Sequence, residues 1–334
     1  IFLLNLNDDV YIFFLHHIFS FITIYFIYIS GKLIKNKTAG LLGAFLYAIQ
    51  LQICFWFNFT LSDIAFHMHL SLVMYFFIKF FLFKKNFSFI FLTSFLLLLS
   101  ITRPEGILVL LIALIFAIYH FFSNKFKSKF SIYIYLIFLI GFLNILIISL
   151  VMNENLRNTI MSNTHVGWGL YYGSQETKTS APEVNKMLHE MFNTCVLKSR
   201  EDIMQRNEWW WCSKIGFDRI KSDPVNYVKV VLKRIPAVLY PAFYREGISK
   251  RYLLISSFFM TYILIGLTFL FFNKFNNTRI SIYNIFLVAP IYLLIAFYQD
   301  EWDIRYHLSP QIILLLISSV GYLNVLEKFY LNRK

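Results

Sequence analysis

The chain has 334 residues, of which 58% are hydrophobic, 20% aromatic and only 15% charged, with a net charge of +13. Soluble domains average about 45–50% apolar, so this composition, with a mean hydropathy of +0.61, excludes an ordinary soluble globule. In a membrane protein the positive balance is explained by cytoplasmic loop bias and attraction to anionic lipid, not by a nucleic-acid partner, and none is expected.

The apolar windows run about 20 residues, which at roughly 1.5 Å per residue matches a hydrocarbon core of about 30 Å. Backbone groups in lipid must be satisfied within the segment, so these windows are expected to be helices. In chain order they fall at 11–31, 39–57, 63–83, 87–101, 104–122, 130–152, 252–273, 280–298 and 305–327. The predicted class is an all-α polytopic membrane protein with about nine visible transmembrane helices and one large extracytoplasmic loop domain. Basic residues cluster after every second crossing. Lys32, Lys35 and Lys37 follow the first, Lys79, Lys84 and Lys85 close the third, and Lys125, Lys127 and Lys129 follow the fifth. Lys274 and Arg279 follow the seventh, and Lys328, Arg333 and Lys334 the ninth. The positive-inside rule makes these clusters cytoplasmic.

The opposite side then holds residues 1–10, the turns near Asp63 and Arg103, loop 153–251 and the "DEWDIRYH" stretch at 300–307. Three regions follow: an N-terminal transmembrane region (1–152), the loop domain (153–251) and a C-terminal transmembrane region (252–334). The chain opens on Ile1 instead of Met and is expected to be an N-terminally truncated fragment.

Within the loop domain, "SDPVNYVKVVLKRIP" (222–236) predicts a helix over 223–236, with Asp223 at the N-cap and Pro224 at the first helical position. Val225, Val228, Leu232 and Ile235 recur at helical spacing, with Lys229, Lys233 and Arg234 elsewhere on the surface. This is the pattern of an amphipathic helix lying on the membrane, or of a helix buried in the loop domain. Cys195 and Cys212 share this polar region and pair if it is extracytoplasmic; otherwise they are free thiols.

The charged residues sort to the outer face. His16, His17, His67 and His69 are the main ionisable groups at mid-membrane depth, fewer than an aqueous proton path needs. The pattern points to a site at the outer interface. Arg305 and Tyr306 open the last span after Asp300, Glu301 and Asp303, with His307 following. An arginine there either holds a phosphate bidentately or snorkels beside an interfacial tyrosine. Arg103 in "TRPEG" (102–106) poses the same choice, since Pro104 breaks the helix there. Asp63 either serves a site or simply suits a helix N-terminus. His67, four residues on, shares its face and reads as half of a metal pair or as an ordinary hydrogen-bonded histidine. "HVGWGLYYGSQE" (165–176) reads as a tight loop in which Trp168, Tyr171 and Tyr172 offer stacking faces to a sugar.

Taken in order, "KTAGLLGAFLYAI" into "FTLSD" (37–63), "TRPEG", "GWGLYYGS" (167–174), "SDPVNYVKVVLKRI" and "DIRYHLSP" resemble the GT-C superfamily of polytopic glycosyltransferases, in particular its protein mannosyltransferase and aminoarabinose transferase branch. The resemblance implies a GT-C-like bundle and an inverting transfer of a sugar from a polyprenyl-phosphate donor to a protein, lipid or glycan acceptor. It implies a site on the outer face of a bacterial inner (plasma) membrane. In the family the catalytic carboxylate lies in the first outer loop, which places it upstream of residue 1 and implies that this chain lacks its first span and most of that loop; Asp8 and Asp9 are then candidates from the loop's tail, not equated with the family base, and Asp63 is a further candidate carboxylate. For the donor phosphate the candidates are Arg305, Tyr306, Arg103, Lys233 and Arg234, with Arg245, Lys250 and Arg251 also near the membrane. The substrate-contacting candidates are Trp168, Tyr171, Tyr172, Glu301, Asp303 and His307. Some superfamily members use a divalent metal and others none; the sequence offers no compelling ligand spacing. The competing classes are a lipid-linked glycan transporter or flippase, expected to show paired repeats and broken helices, and an envelope polysaccharide polymerase.

Overall fold

The computed structural model describes residues 8–50, 63–83, 86–103, 106, 108–113, 115, 164–175, 181–239, 250–272, 281, 283–285, 289 and 304–331. Every regular element among them is helical. In chain order these are α1 (Asp8–Ile34), α2 (Lys37–Ala48), α3 (Asp63–Phe83), α4 (Asn86–Thr102), α5 (Thr164–Gly173), α6 (Ala181–Arg200), α7 (Glu208–Ser222), α8 (Pro224–Leu239), α9 (Lys250–Phe272) and α10 (Ile304–Leu331).

The expected spans 11–31, 63–83, 87–101, 252–273 and 305–327 correspond to α1, α3, α4, α9 and α10. The second, 39–57, is shorter where described. α2 ends at Ala48, and the Ile49 amide caps it on the Phe45 carbonyl. The span at 130–152, and most of those at 104–122 and 280–298, lie outside the described residues. Three described helices are long and apolar enough to cross a membrane: Phe13–Ile34, Asp63–Phe80 and Pro310–Tyr330. Ile90–Ser100 and Ser257–Phe271 are shorter apolar helices.

The chain divides into two compact units, one of residues 1–132, 259–291 and 305–334, the other of 133–258 and 292–304. In the first, α1 packs on α2 and α3, and α3 on α4. Polar contacts mark the two ends of this bundle. At one end Lys35, just past α1, pairs with Glu327 near the end of α10, and Asn36 Nδ2 donates to the same carboxylate at 3.3 Å. Asn36 also caps α2 by accepting from the Ala39 amide at 3.0 Å. At the other end Gln50 Nε2 donates to Gln311 Oε1 at 2.7 Å, joining the end of α2 to the beginning of α10. Thus α1 and α10 run in one direction and α2 in the other, as the alternation of basic clusters predicts for the first, second and ninth spans.

Small residues bring these helices close. A Cβ at Gly321 would stand 2.0 Å from the Gly266 carbonyl oxygen, and one at Gly266 would stand 2.5 Å from Ser318 Cβ. Between apolar helices in lipid no hydrophobic gain drives association, so close backbone approach and hydrogen bonds supply it. Tyr262 and Ser319 share a 3.0 Å hydrogen bond at this crossing, and the Tyr262 and Tyr322 rings stack at 4.5 Å.

In the second unit α7 is the hub, packing against α5, α6 and α8. A Cβ at Gly167 would meet the Trp209 carbonyl oxygen at 2.6 Å, and one at Gly216 the Leu170 carbonyl at 2.4 Å. Glycine at these positions permits the α5–α7 crossing. Cys195 on α6 and Cys212 on α7 form a disulfide with a Cα separation of 5.4 Å. Both are buried with Tyr171 and Met191, flanked by Trp209, Trp211 and Ile215. Helix α8 begins as expected, the Asn226 amide donating to Asp223 Oδ1 at 3.0 Å.

Candidate active site

Asp63 is the first residue of α3, and Arg103 directly follows the last residue of α4. The two helices form an antiparallel hairpin, so its open end brings together residues 40 apart in sequence. Arg103 Nη1 donates to Asp63 Oδ1, and both side chains are largely buried. Each charge suits its helix end: the carboxylate at an N-terminus, the guanidinium at a C-terminus. Backbone hydrogen bonds set the arginine's position. The Arg103 amide donates to the Leu99 carbonyl at 3.3 Å, and the Gly106 amide to the Arg103 carbonyl at 3.0 Å. A Cβ at Gly106 would stand 2.2 Å from the Leu99 carbonyl oxygen, so only glycine fits there. The guanidinium also lies 5.8 Å from the centroid of the Phe66 ring.

Buried polar groups continue below the pair. His67, one turn into α3, has Nδ1 3.3 Å from the Tyr47 hydroxyl, and its Nε2 has no hydrogen-bond partner. His69 Nδ1 is 3.0 Å from Thr102 Oγ1. Gln50 Oε1 is likewise buried without a partner beside the Gln50–Gln311 bond. Of the two readings open for His67, the hydrogen-bonded one describes what is seen. Among the described residues no three His, Cys, Asp or Glu side chains gather as metal ligands would.

The helix directions carry other candidates to this same end. Asp8 and Asp9 open α1, and Arg305, Tyr306 and His307 fall in the first turn of α10. For these five the helix position is what is described. Glu301 and Asp303 lie outside the described residues.

The loop-domain candidates are placed differently. Residues 164–173 are helix α5, not the expected tight loop, because the glycines serve a helix crossing instead of a turn. Trp168 and Tyr172 are positions on that helix. Tyr171 is a core residue, its ring 4.5 Å from the Arg219 guanidinium, so it presents no open face to a sugar. Lys233 and Arg234, adjacent on α8, part company. Lys233 is exposed. Arg234 is fully buried and donates to the carbonyls of Gly173, at 3.1 Å, and Gln175. Arg234 therefore satisfies the last carbonyl of α5 and one two residues beyond it, a helix-capping duty.

Sequence reading passed over the turn between α6 and α7. There Asp202 accepts from Arg206 Nε at 2.6 Å and Nη2 at 3.0 Å, from the Met204 amide at 3.0 Å and from Trp211 Nε1 at 3.1 Å. These donors, Arg206 foremost, bring the Asp202 carboxyl from an ordinary 3.8 down to about 2. The Asp-x-x-x-Arg spacing ahead of "WWW" was the available signal.

Apolar helices of membrane length, in a bundle with a buried ion pair at one end, mark an integral membrane protein. Residues 1–148 match the family model for dolichyl-phosphate-mannose-protein mannosyltransferase. The match supports a membrane glycosyltransferase of the GT-C superfamily. No curated protein and no solved structure gives a significant match.

Proposed function

We propose that this protein transfers a sugar from a polyprenyl-phosphate donor to an acceptor hydroxyl of a protein, lipid or glycan, at the bundle end where Asp63 meets Arg103. The observation that carries this reading is that buried ion pair, set at the end where α1 and α10 begin. In the reaction the acceptor oxygen attacks the anomeric carbon while the bond from that carbon to the phosphate oxygen breaks. The leaving phosphate keeps the electron pair, and the hydroxyl proton passes to a carboxylate. Attack opposite the leaving group inverts the anomeric centre.

Arg103 and Arg305 serve the phosphate, since a guanidinium fork matches its oxygens and a site poor in water strengthens the contact. Asp63 holds Arg103 ready. A phosphate arriving at Arg103 draws the guanidinium away and releases the Asp63 carboxylate, which with Asp8 and Asp9 is a candidate base. The unpartnered His67 Nε2 and Gln50 Oε1 support a polar guest at this end, because such atoms are costly to leave bare.

The extracytoplasmic face of the plasma membrane is the proposed location. Its support is the buried disulfide, which belongs to an oxidising compartment, and the lysines at the far end of the bundle. Helix α8 is proposed to lie on that membrane face, since Val225, Val228 and Leu232 are exposed on it beside the exposed Lys229 and Lys233.

Arg305→Ala is expected to abolish transfer from a polyprenyl-phosphate sugar while expression is maintained. Retained transfer would return Arg305 to a snorkelling role. Sidedness is tested by labelling thiols placed by Gln175→Cys and Trp302→Cys from either face of sealed vesicles. The two must report one compartment, or no common site exists.

A further inference from the structure

Four helices of the first unit meet at the end of α2 through a connected set of buried side chains. The Tyr47 hydroxyl, in the last turn of α2, lies 3.3 Å from His67 Nδ1 on α3. The Gln50 amide donates to the Tyr47 carbonyl at 3.2 Å, and the Gln50 side chain donates to Gln311 Oε1 on α10 at 2.7 Å. Gln311 Nε2 in turn meets the Met260 sulfur on α9 at 3.5 Å, a weak acceptor. Tyr47, Gln50, His67 and Gln311 are each no more than 2% exposed. Yet the set is not closed, for His67 Nε2 and Gln50 Oε1 have no hydrogen-bond partner. A bare polar atom is costly to bury, so two on one connected set point to a guest that satisfies them.

We propose that Gln50, His67 and Gln311 form the subsite that reads the hydroxyls of the transferred sugar. The inference rests on the function proposed above and adds to it the residues that recognise the moving group. Position is the first support. His67 stands four residues after Asp63 on α3, about 6 Å along the helix axis, a depth that a sugar reaches when its phosphate lies at Arg103. Chemistry is the second. The set offers two amides, a phenol, a thioether and an imidazole, with no carboxylate, ammonium or guanidinium among them, which suits a neutral guest and not a second phosphate. A hydroxyl both donates and accepts, so it can give its proton to Gln50 Oε1 and meet His67 Nε2 in either tautomer. The third is setting, since His67 and Gln311 lie within helices of membrane length, where inward polar side chains mark substrate paths.

The test measures binding to the full chain in lipid nanodiscs of polyprenyl phosphate, either bare or carrying mannose, glucose or aminoarabinose. The favoured sugar is expected to tighten binding about tenfold over the bare lipid. That gain should disappear in the double variant Gln50→Leu with Gln311→Leu and in His67→Phe, with affinity for the bare lipid unchanged. His67→Gln, which keeps a donor and an acceptor, should retain part of it. A second measurement needs no variant and so no refolded core. On the unaltered chain, removing one hydroxyl of the favoured sugar at a time should lose the gain at one position or more. No gain from any sugar would mean that water alone satisfies these atoms and would overturn the subsite. An undiminished gain in both variants, or equal binding of every deoxy sugar, would do the same while leaving the transferase reading intact. Bare lipid that fails to bind, or binds Arg103→Ala equally well, would instead remove the phosphate site and this inference with it.

Discussion

Each unit of the chain holds an Asp–Arg pair, and the two are built in opposite ways. Asp202 and Arg206 are four residues apart in one turn, and the carboxylate's other contacts come from Met204 and Trp211 close by. Asp63 and Arg103 are 40 residues apart and meet only because an antiparallel helix pair returns the chain to its starting level. The local pair is fully engaged and holds a turn rigid. The distant pair lies one helical turn from His67, whose buried Nε2 has no hydrogen-bond partner. A saturated carboxylate makes a strut; a buried pair near an unsatisfied polar atom can exchange partners, as the proposed phosphate site requires.

The sharpest way to break this contrast is Arg103→Ala. It leaves a buried carboxylate without its counter-charge and should cost about 3–5 kcal/mol, read as a lower unfolding temperature in detergent together with loss of transfer. The double change Asp63→Leu with Arg103→Leu should recover most of that stability and none of the activity. If the double variant still transferred sugar, the pair would be a strut like its counterpart.

Opening the disulfide by Cys195→Ser with Cys212→Ser should cost about 3 kcal/mol, as the closed loop spans 17 residues. The loss should appear as earlier proteolysis of residues 181–239, with α1–α4 unaffected.

A smaller effect follows from Asp202. Its carboxyl is depressed in the folded state, so its contribution is complete above about pH 4 and declines as pH falls through the folded value of about 2. Thermal unfolding between those limits should show the decline, and Asp202→Asn should flatten it. Smallest of all, Glu327→Ala removes the partly exposed Lys35 pair, side-chain exposure 19% and 46%. This should cost under about 1 kcal/mol and vanish at high salt, a check that only burial gives the Asp63–Arg103 pair its weight.

Several features were legible before any coordinates. Apolar windows of about 20 residues located α1, α3, α4, α9 and α10, because span length is set by bilayer thickness. The Asp223–Pro224 start of α8 was readable because capping is a short-range hydrogen bond. Asp63 and Arg103 could be singled out as charges at helix ends, but not as partners, since pairing depends on how α3 and α4 pack. Glycine misled at 167–173. Its lack of a Cβ serves a tight turn and a close helix crossing equally well, and the neighbouring helix α7 decides between them. Arg234 misled for a related reason, as a cation beside exposed Lys233 can turn inward when carbonyls at the end of α5 need a donor.

What the sequence by itself determined is a membrane-embedded helical chain, the places where its helices begin, and the charges standing at their ends, because hydrophobic length and capping act over a few residues. What only the tertiary structure decided is which charges meet. Asp63 with Arg103, Gln50 with Gln311 and Cys195 with Cys212 are distances through space, set by helix packing that no local pattern encodes.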